Sequence, residues 1–139
     1  MLPVGTLLKA ERTLSQRDFD RFAELSGDRN PIHVDPVHAA KTRFGKTVSH
    51  GVLLYGLLWA LVTRRLPGAR ACRQTLLFPA PAFADEPLDI EIKVLESDAV
   101  SCRLACRIAR RNDGAVVCEG QTSLTSGGNP MPENPHRDR

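Results

Sequence analysis

The sequence predicts an α+β fold in one domain, an antiparallel β-sheet wrapped around one long central apolar helix. Three observations carry this. Residues 51–65, Gly-Val-Leu-Leu-Tyr-Gly-Leu-Leu-Trp-Ala-Leu-Val-Thr-Arg-Arg, are apolar on nearly every side of a helix. Such a helix is either buried all round or crosses a membrane, and this one is too short for the second. The chain after it alternates apolar and polar residues with period two, the mark of strands with one dry face and one wet face. Strands of that kind against a helix of that kind make a layered α+β arrangement.

In order along the chain, residues 4–13 read as a first strand. Ser15 suits an N-cap, with Asp18 three residues later in the reciprocal capping position. Phe19, Phe22 and Ala23 lie at helical spacing, so residues 16–25 read as an amphipathic helix that Gly27 ends. A loop from Asp28 to His33 follows. Asp35-Pro36 starts a second, short helix that runs out near Phe44-Gly45. In the long helix, Arg64 and Arg65 favour the C-terminal end electrostatically, and Pro67-Gly68 stops it. Cys72, Gln74, Leu76 and Phe78 alternate with their neighbours. So do Leu88, Ile90, Ile92 and Val94, then Val100, Cys102, Leu104, Cys106 and Ile108, then Val116, Cys118 and Leu124. Asn112-Asp113-Gly114 makes a hairpin turn between the last two strands. The domain is expected over residues 1–126, with 127–139, rich in Gly, Asn, Pro and charge, as a disordered tail.

A chain of 139 residues with 42% apolar and 25% charged residues suits one globular domain with a real core. The net charge of +3, from 19 basic and 16 acidic residues, is too mild to argue for nucleic acid. Arg64-Arg65 and Arg110-Arg111 have no interleaved aromatic residues to make a stacking platform. Cys72, Cys102, Cys106 and Cys118 form no Cys-x2-Cys pair and read as reduced thiols in strands. Lys9, Glu11 and Arg12 interrupt the short apolar start, so no signal peptide is read, no membrane span is expected, and a cytoplasmic protein is.

The chemistry gathers in Ser26-Gly27-Asp28-Arg29-Asn30-Pro31-Ile32-His33 and in Ser49-His50-Gly51. One helix would turn Asp28 and His33 roughly 500° apart about its axis, onto different faces. A turn, which Gly27, Asn30 and Pro31 favour, folds both toward one point. A carboxylate and an imidazole that meet at one water can move protons near neutral pH. For an isolated Asp-x4-His the plainer account is a capped loop with a structural histidine. The backbone N–H of Gly51 opens the long helix, where amides are unpaired and the dipole is positive, and glycine lets a ligand come close. No Gly-x-Ser-x-Gly elbow, Gly-x-Gly-x2-Gly or phosphate-binding loop occurs, and no metal set is read from His33, His38 and His50.

The string Ser-Gly-Asp-x-Asn-Pro-Ile-His, a following short helix with Ala39-Ala40, His50-Gly51 before an apolar helix, and Phe78-Pro79-Ala80-Pro81 together resemble the MaoC-like (R)-specific enoyl-CoA hydratases, over about residues 5–125. The resemblance implies a hotdog fold that pairs edge to edge as a homodimer. It implies reversible hydration of a trans-2-enoyl thioester, carried by CoA or an acyl carrier protein, to the (R)-3-hydroxyacyl thioester, with no cofactor or metal. That reaction needs a base for the attacking water, a proton for C2 and a holder for charge on the thioester oxygen. The catalytic residues it implies are Asp28, His33 and Gly51. Candidate binding contacts are Asn30, His50, Tyr55, Trp59 and Phe78, with loop support the plainer role for Asn30 and a structural role the plainer one for His50.

Two positions depart from the pattern. Ala84-Asp85-Glu86-Pro87 stands where many relatives carry Gly-Asp, and Trp59 stands at a helix position that is often small. Tyr55, Leu58, Trp59 and Val62 share a helix face, and Trp59 lies about 12 Å along the axis from Gly51. An indole there would shorten the acyl site, unless it is core packing alone. The competing functions are a thioesterase on the same fold and a non-catalytic acyl-CoA-binding protein.

Overall fold

The computed structural model describes residues 2–126. The expected tail at 127–139 lies outside them. The elements are β1 (Gly5–Thr13), α1 (Gln16–Ser26), α2 (Pro31–Val34), α3 (Pro36–Ala40), α4 (Gly51–Arg65), β2 (Arg70–Gln74), β3 (Pro87–Ser97), β4 (Ser101–Arg110) and β5 (Val116–Thr125). The five strands form one sheet in the order β1-β3-β4-β5-β2, antiparallel at every step. The Arg110–Ala115 turn closes the β4–β5 hairpin, with Gly114 at φ 74°.

The alternation of the sequence becomes the two faces of this sheet. Leu88, Ile90, Ile92 and Val94 of β3 and Cys102, Leu104, Cys106 and Ile108 of β4 are all buried, in one cluster with Leu54, Leu58, Leu61 and Val62 of α4. Each such side chain contributes about 1.5–3 kcal/mol relative to leaving it in water. Burial also keeps the core thiols protonated: Cys102 and Cys118 are each pushed up to about 11. Cys72 is the exception to the reading of buried thiols. It is exposed on β2 and donates from Sγ to the Ser123 carbonyl.

Four expectations need correction. The long helix is not enclosed on every side. One sheet covers one flank of a helix, so Gly56, Ala60 and Arg64 are exposed and Val52 is 63% exposed. The segment read as a loop up to His33 contains a helical turn, α2, because Asn30 caps it and Pro31 supplies its first residue. The next helix stops at Ala40, and turns carry the chain through Gly45 at φ 71°. Strand β2 ends at Gln74 instead of running to Phe78. Beyond it the chain still follows β5 in register, the Thr75 amide donating to the Gln121 carbonyl at 3.0 Å and Leu77 pairing with Glu119, but through isolated links and not a continuous ladder. Gly120 makes that close passage possible, since a Cβ there would collide with the Thr75 carbonyl. Among the described residues no helix is long and apolar enough to cross a membrane.

Candidate active site

The site begins where α1 ends. Ser15 and Asp18 cap its start reciprocally, and Gly27 at φ 79° closes its last turn onto the Ala23 carbonyl. The chain then folds on itself through short side-chain links. The Asp28 amide donates to Ser26 Oγ at 3.1 Å, and the Asn30 amide donates to Asp28 Oδ1 at 3.3 Å. The Ile32 amide donates to Asn30 Oδ1 at 3.2 Å. Asn30 therefore acts here as the cap of α2 and a support of the Asp28 loop.

His33, on α2, is clamped from two sides. Its carbonyl accepts from Gln16 Nε2 at 2.8 Å, and Gln16 in turn accepts from the Thr47 hydroxyl. Its Nδ1 lies 2.7 Å from the Val48 carbonyl. A carbonyl can only accept, so Nδ1 carries a hydrogen, and in the neutral ring Nε2 is left as the basic atom. That atom lies 3.8 Å from Asp28 Oδ2. The distance is too long for a direct hydrogen bond, and one water can touch both atoms at ordinary hydrogen-bond lengths. The His33 side chain is 13% exposed and that of Asp28 55%, so the pair opens to solvent on the carboxylate side.

His50 lies against this pair. It is 3% exposed, its ring stacks on that of His33 with centroids 3.8 Å apart, and its Nε2 donates to the Asp28 carbonyl at 2.9 Å. Donor atoms of Asp28, His33 and His50 fall within 4.8 Å of one another. The two imidazole planes are only 25° from parallel, however, so their in-plane lone pairs run side by side and do not converge on one ion. His38 is exposed on α3, with its amide bonded to Asp35.

Gly51 starts α4 immediately after His50, and His50 makes no side-chain cap bond there. The first amides of α4 thus lie at the positive end of a 15-residue helix. A cleft of about 280 Å³ adjoins this end, lined by Gly51, Leu54, Phe78, Ala80 and Val117, with Arg43 and Phe44 beside them. The Phe78 ring covers Gly51 closely: a Cβ on Gly51 would lie 3.0–3.1 Å from three ring atoms.

The structure therefore brings Asp28, Asn30, His33 and His50 together, and brings Gly51 and Phe78 together in the cleft. Tyr55 and Trp59 line neither. Trp59 is half-buried and packs on the core. Sequence reasoning missed Gln16 and the Val48 carbonyl. Gln16 looks like any polar residue at a helix start, and a carbonyl leaves no trace in the residue type.

Residues 3–112 match the family described as MaoC like domain. A 3-hydroxybutyryl-CoA dehydratase of Methylorubrum extorquens is 36% identical over 124 residues, covering 86% of this chain and 78% of that protein. An (R)-specific enoyl-CoA hydratase of Aeromonas caviae is 32% identical over 124 residues, covering 86% and 92%. The solved (R)-hydratase of A. caviae superposes with a TM-score of 0.81 at 32% identity, covering 89% of this chain and 96% of that one. An R-hydratase of Pseudomonas aeruginosa gives 0.81 at 35% identity, covering 96% and 84%. The sheet and helix described above are thus a hotdog fold.

Proposed function

The chain belongs to the MaoC-like family of thioester hydratases and dehydratases, and from that premise we propose that it hydrates trans-2-enoyl thioesters reversibly, to the (R)-3-hydroxyacyl thioester. The observation that carries the reading is the gap of 3.8 Å between His33 Nε2 and Asp28 Oδ2, sized for one water. His33 Nε2 takes a proton from that water as its oxygen attacks C3, and the Asp28 carboxylate accepts the second hydrogen and orients it. Electrons move from the double bond onto the thioester oxygen, which the Gly51 amide holds. The proton then goes to C2, so hydroxyl and hydrogen both end on the substrate and the enzyme returns to its starting state. Water is the only co-reactant, and no cofactor is required.

The rest of the reading concerns the substrate and the assembly. Phe78 and its neighbours offer an apolar wall to the thioester arm, Asn30 and His50 support the catalytic loop, and Tyr55 and Trp59, farther along α4 than the cleft residues Gly51 and Leu54, bound the acyl end where it runs past the cleft. CoA and acyl carrier protein thioesters both present the same reacting group. The uncovered flank of α4 and the exposed Leu77 (64%) and Phe78 (45%) favour a homodimer. The test is crotonyl-CoA turnover with chiral analysis of the product. Loss of the enoyl absorbance with an (R) product supports the proposal. Release of free thiol instead would mark a thioesterase, and an (S) product would show that the substrate meets the water from the other face.

A further inference from the structure

We infer that His50 is a positioning residue, the joint that fixes the Asp28 main chain and the His33 ring plane relative to the start of α4; the inference rests on the hydratase reading. The three groups assigned to catalysis come from three separate segments: the loop after α1, the turn α2 and the first residue of α4. His50 touches all three. Its Nε2 donates to the Asp28 carbonyl at 2.9 Å, its face stacks on His33 at 3.8 Å, and the peptide bond after it is that of Gly51. The edge of Phe22, from α1, holds the ring from a further side at 4.8 Å.

The choice of histidine is the informative part. Its Nδ1 is buried and meets no hydrogen-bond partner among the described residues. A buried polar atom without a partner costs stability. Phenylalanine in the same seat would keep the stack and the edge contact without that cost. What histidine adds is the Nε2–H bond to the Asp28 carbonyl, which ties the carboxylate's own residue to the helix that carries the oxygen-binding amide. A shift of about 1 Å in such an arrangement can cost about 10²-fold in rate.

The test uses three variants of the full chain, with kcat and KM for crotonyl-CoA measured per folded enzyme and Tm measured beside them. His50→Ala removes both contacts, His50→Phe keeps the stack and loses the donor, and His50→Gln keeps an N–H near the position of Nε2. The expected result is a fall in kcat of about 10²-fold for His50→Ala, with KM within about threefold, since orientation is lost and binding is not. His50→Phe should resemble His50→Ala, and His50→Gln should regain about tenfold. A lower Tm with kcat per folded enzyme unchanged would make His50 a structural residue and overturn the inference. If His50→Ala does not fold, the order of Gln above Phe decides, and equal, wild-type kcat in both overturns it. Asp28→Asn serves as the reference. Should wild type not hydrate crotonyl-CoA, the hydratase reading fails; should wild type be active and Asp28→Asn alone be inactive, only the inference about His50 fails.

Discussion

At the scale of single residues, function here depends on which atom of a side chain is left over. His33 spends Nδ1 on the Val48 carbonyl and keeps Nε2 for the water. The string around Asp28 and His33 was legible in the sequence, because turn formers between an acid and an imidazole are visible as residue types. The orientation of the ring was not, because a main-chain carbonyl sets it. Gly51 shows the same divide. A glycine at a helix start is easy to notice, whereas the Phe78 ring lying over it depends on where residues 78–81 return in space. That contact leads to a prediction. Gly51→Ala should fold, with Tm little changed, since a Cβ there would stand 3.0–3.1 Å from the Phe78 ring, a side chain that need give by only about a few tenths of an ångström. Its kcat/KM should fall by about 10–10²-fold through loss of close approach to the amide. Unaltered kcat/KM would remove Gly51 from the oxygen's contacts.

At the scale of elements, strong periodicity was read well and local interruptions were not. Strands β3, β4 and β5 appear where alternation places them, and α4 runs over Gly51–Arg65 as its caps suggest. Strand β2 ends earlier than its alternation suggests, because alternation from Cys72 to Phe78 carries no sign that the ladder to β5 thins where the Thr75 carbonyl passes close to β5. The sign lies 45 residues away, in Gly120. Gly120→Ala should therefore destabilise the protein by about 3 kcal/mol, by forcing β2 away from β5. Chemical denaturation checks this, and a loss below about 1 kcal/mol would mean that the Thr75 carbonyl moves aside freely. On α4, Trp59 is proposed to limit acyl length. Wild type should prefer C4–C6 over C12 enoyl-CoA in kcat/KM, and Trp59→Ser should shift the preference toward longer chains by about tenfold or more. Efficient C12 turnover by wild type would leave Trp59 as core packing alone.

For the whole molecule, the largest difference between sequence and structure is the exposed flank of α4. An apolar helix announces burial, but nothing in its own residues says whether the cover comes from the same chain. Here the five-stranded sheet buries Leu54, Leu58, Leu61 and Val62 and leaves Val52 63% exposed. A homodimer is the expected state, and light scattering behind size exclusion should return twice the 15.3 kDa of one chain. A monomer at micromolar concentration would contradict that. The account as a whole turns on one water held between two side chains, and the most direct measurement is kcat for crotonyl-CoA hydration by Asp28→Asn and His33→Ala beside wild type, on protein shown to be folded. The account predicts that each substitution lowers kcat by about 10²–10⁴-fold while Tm stays close to that of wild type. Near-normal turnover in both variants would contradict it and place the proton transfers on other residues.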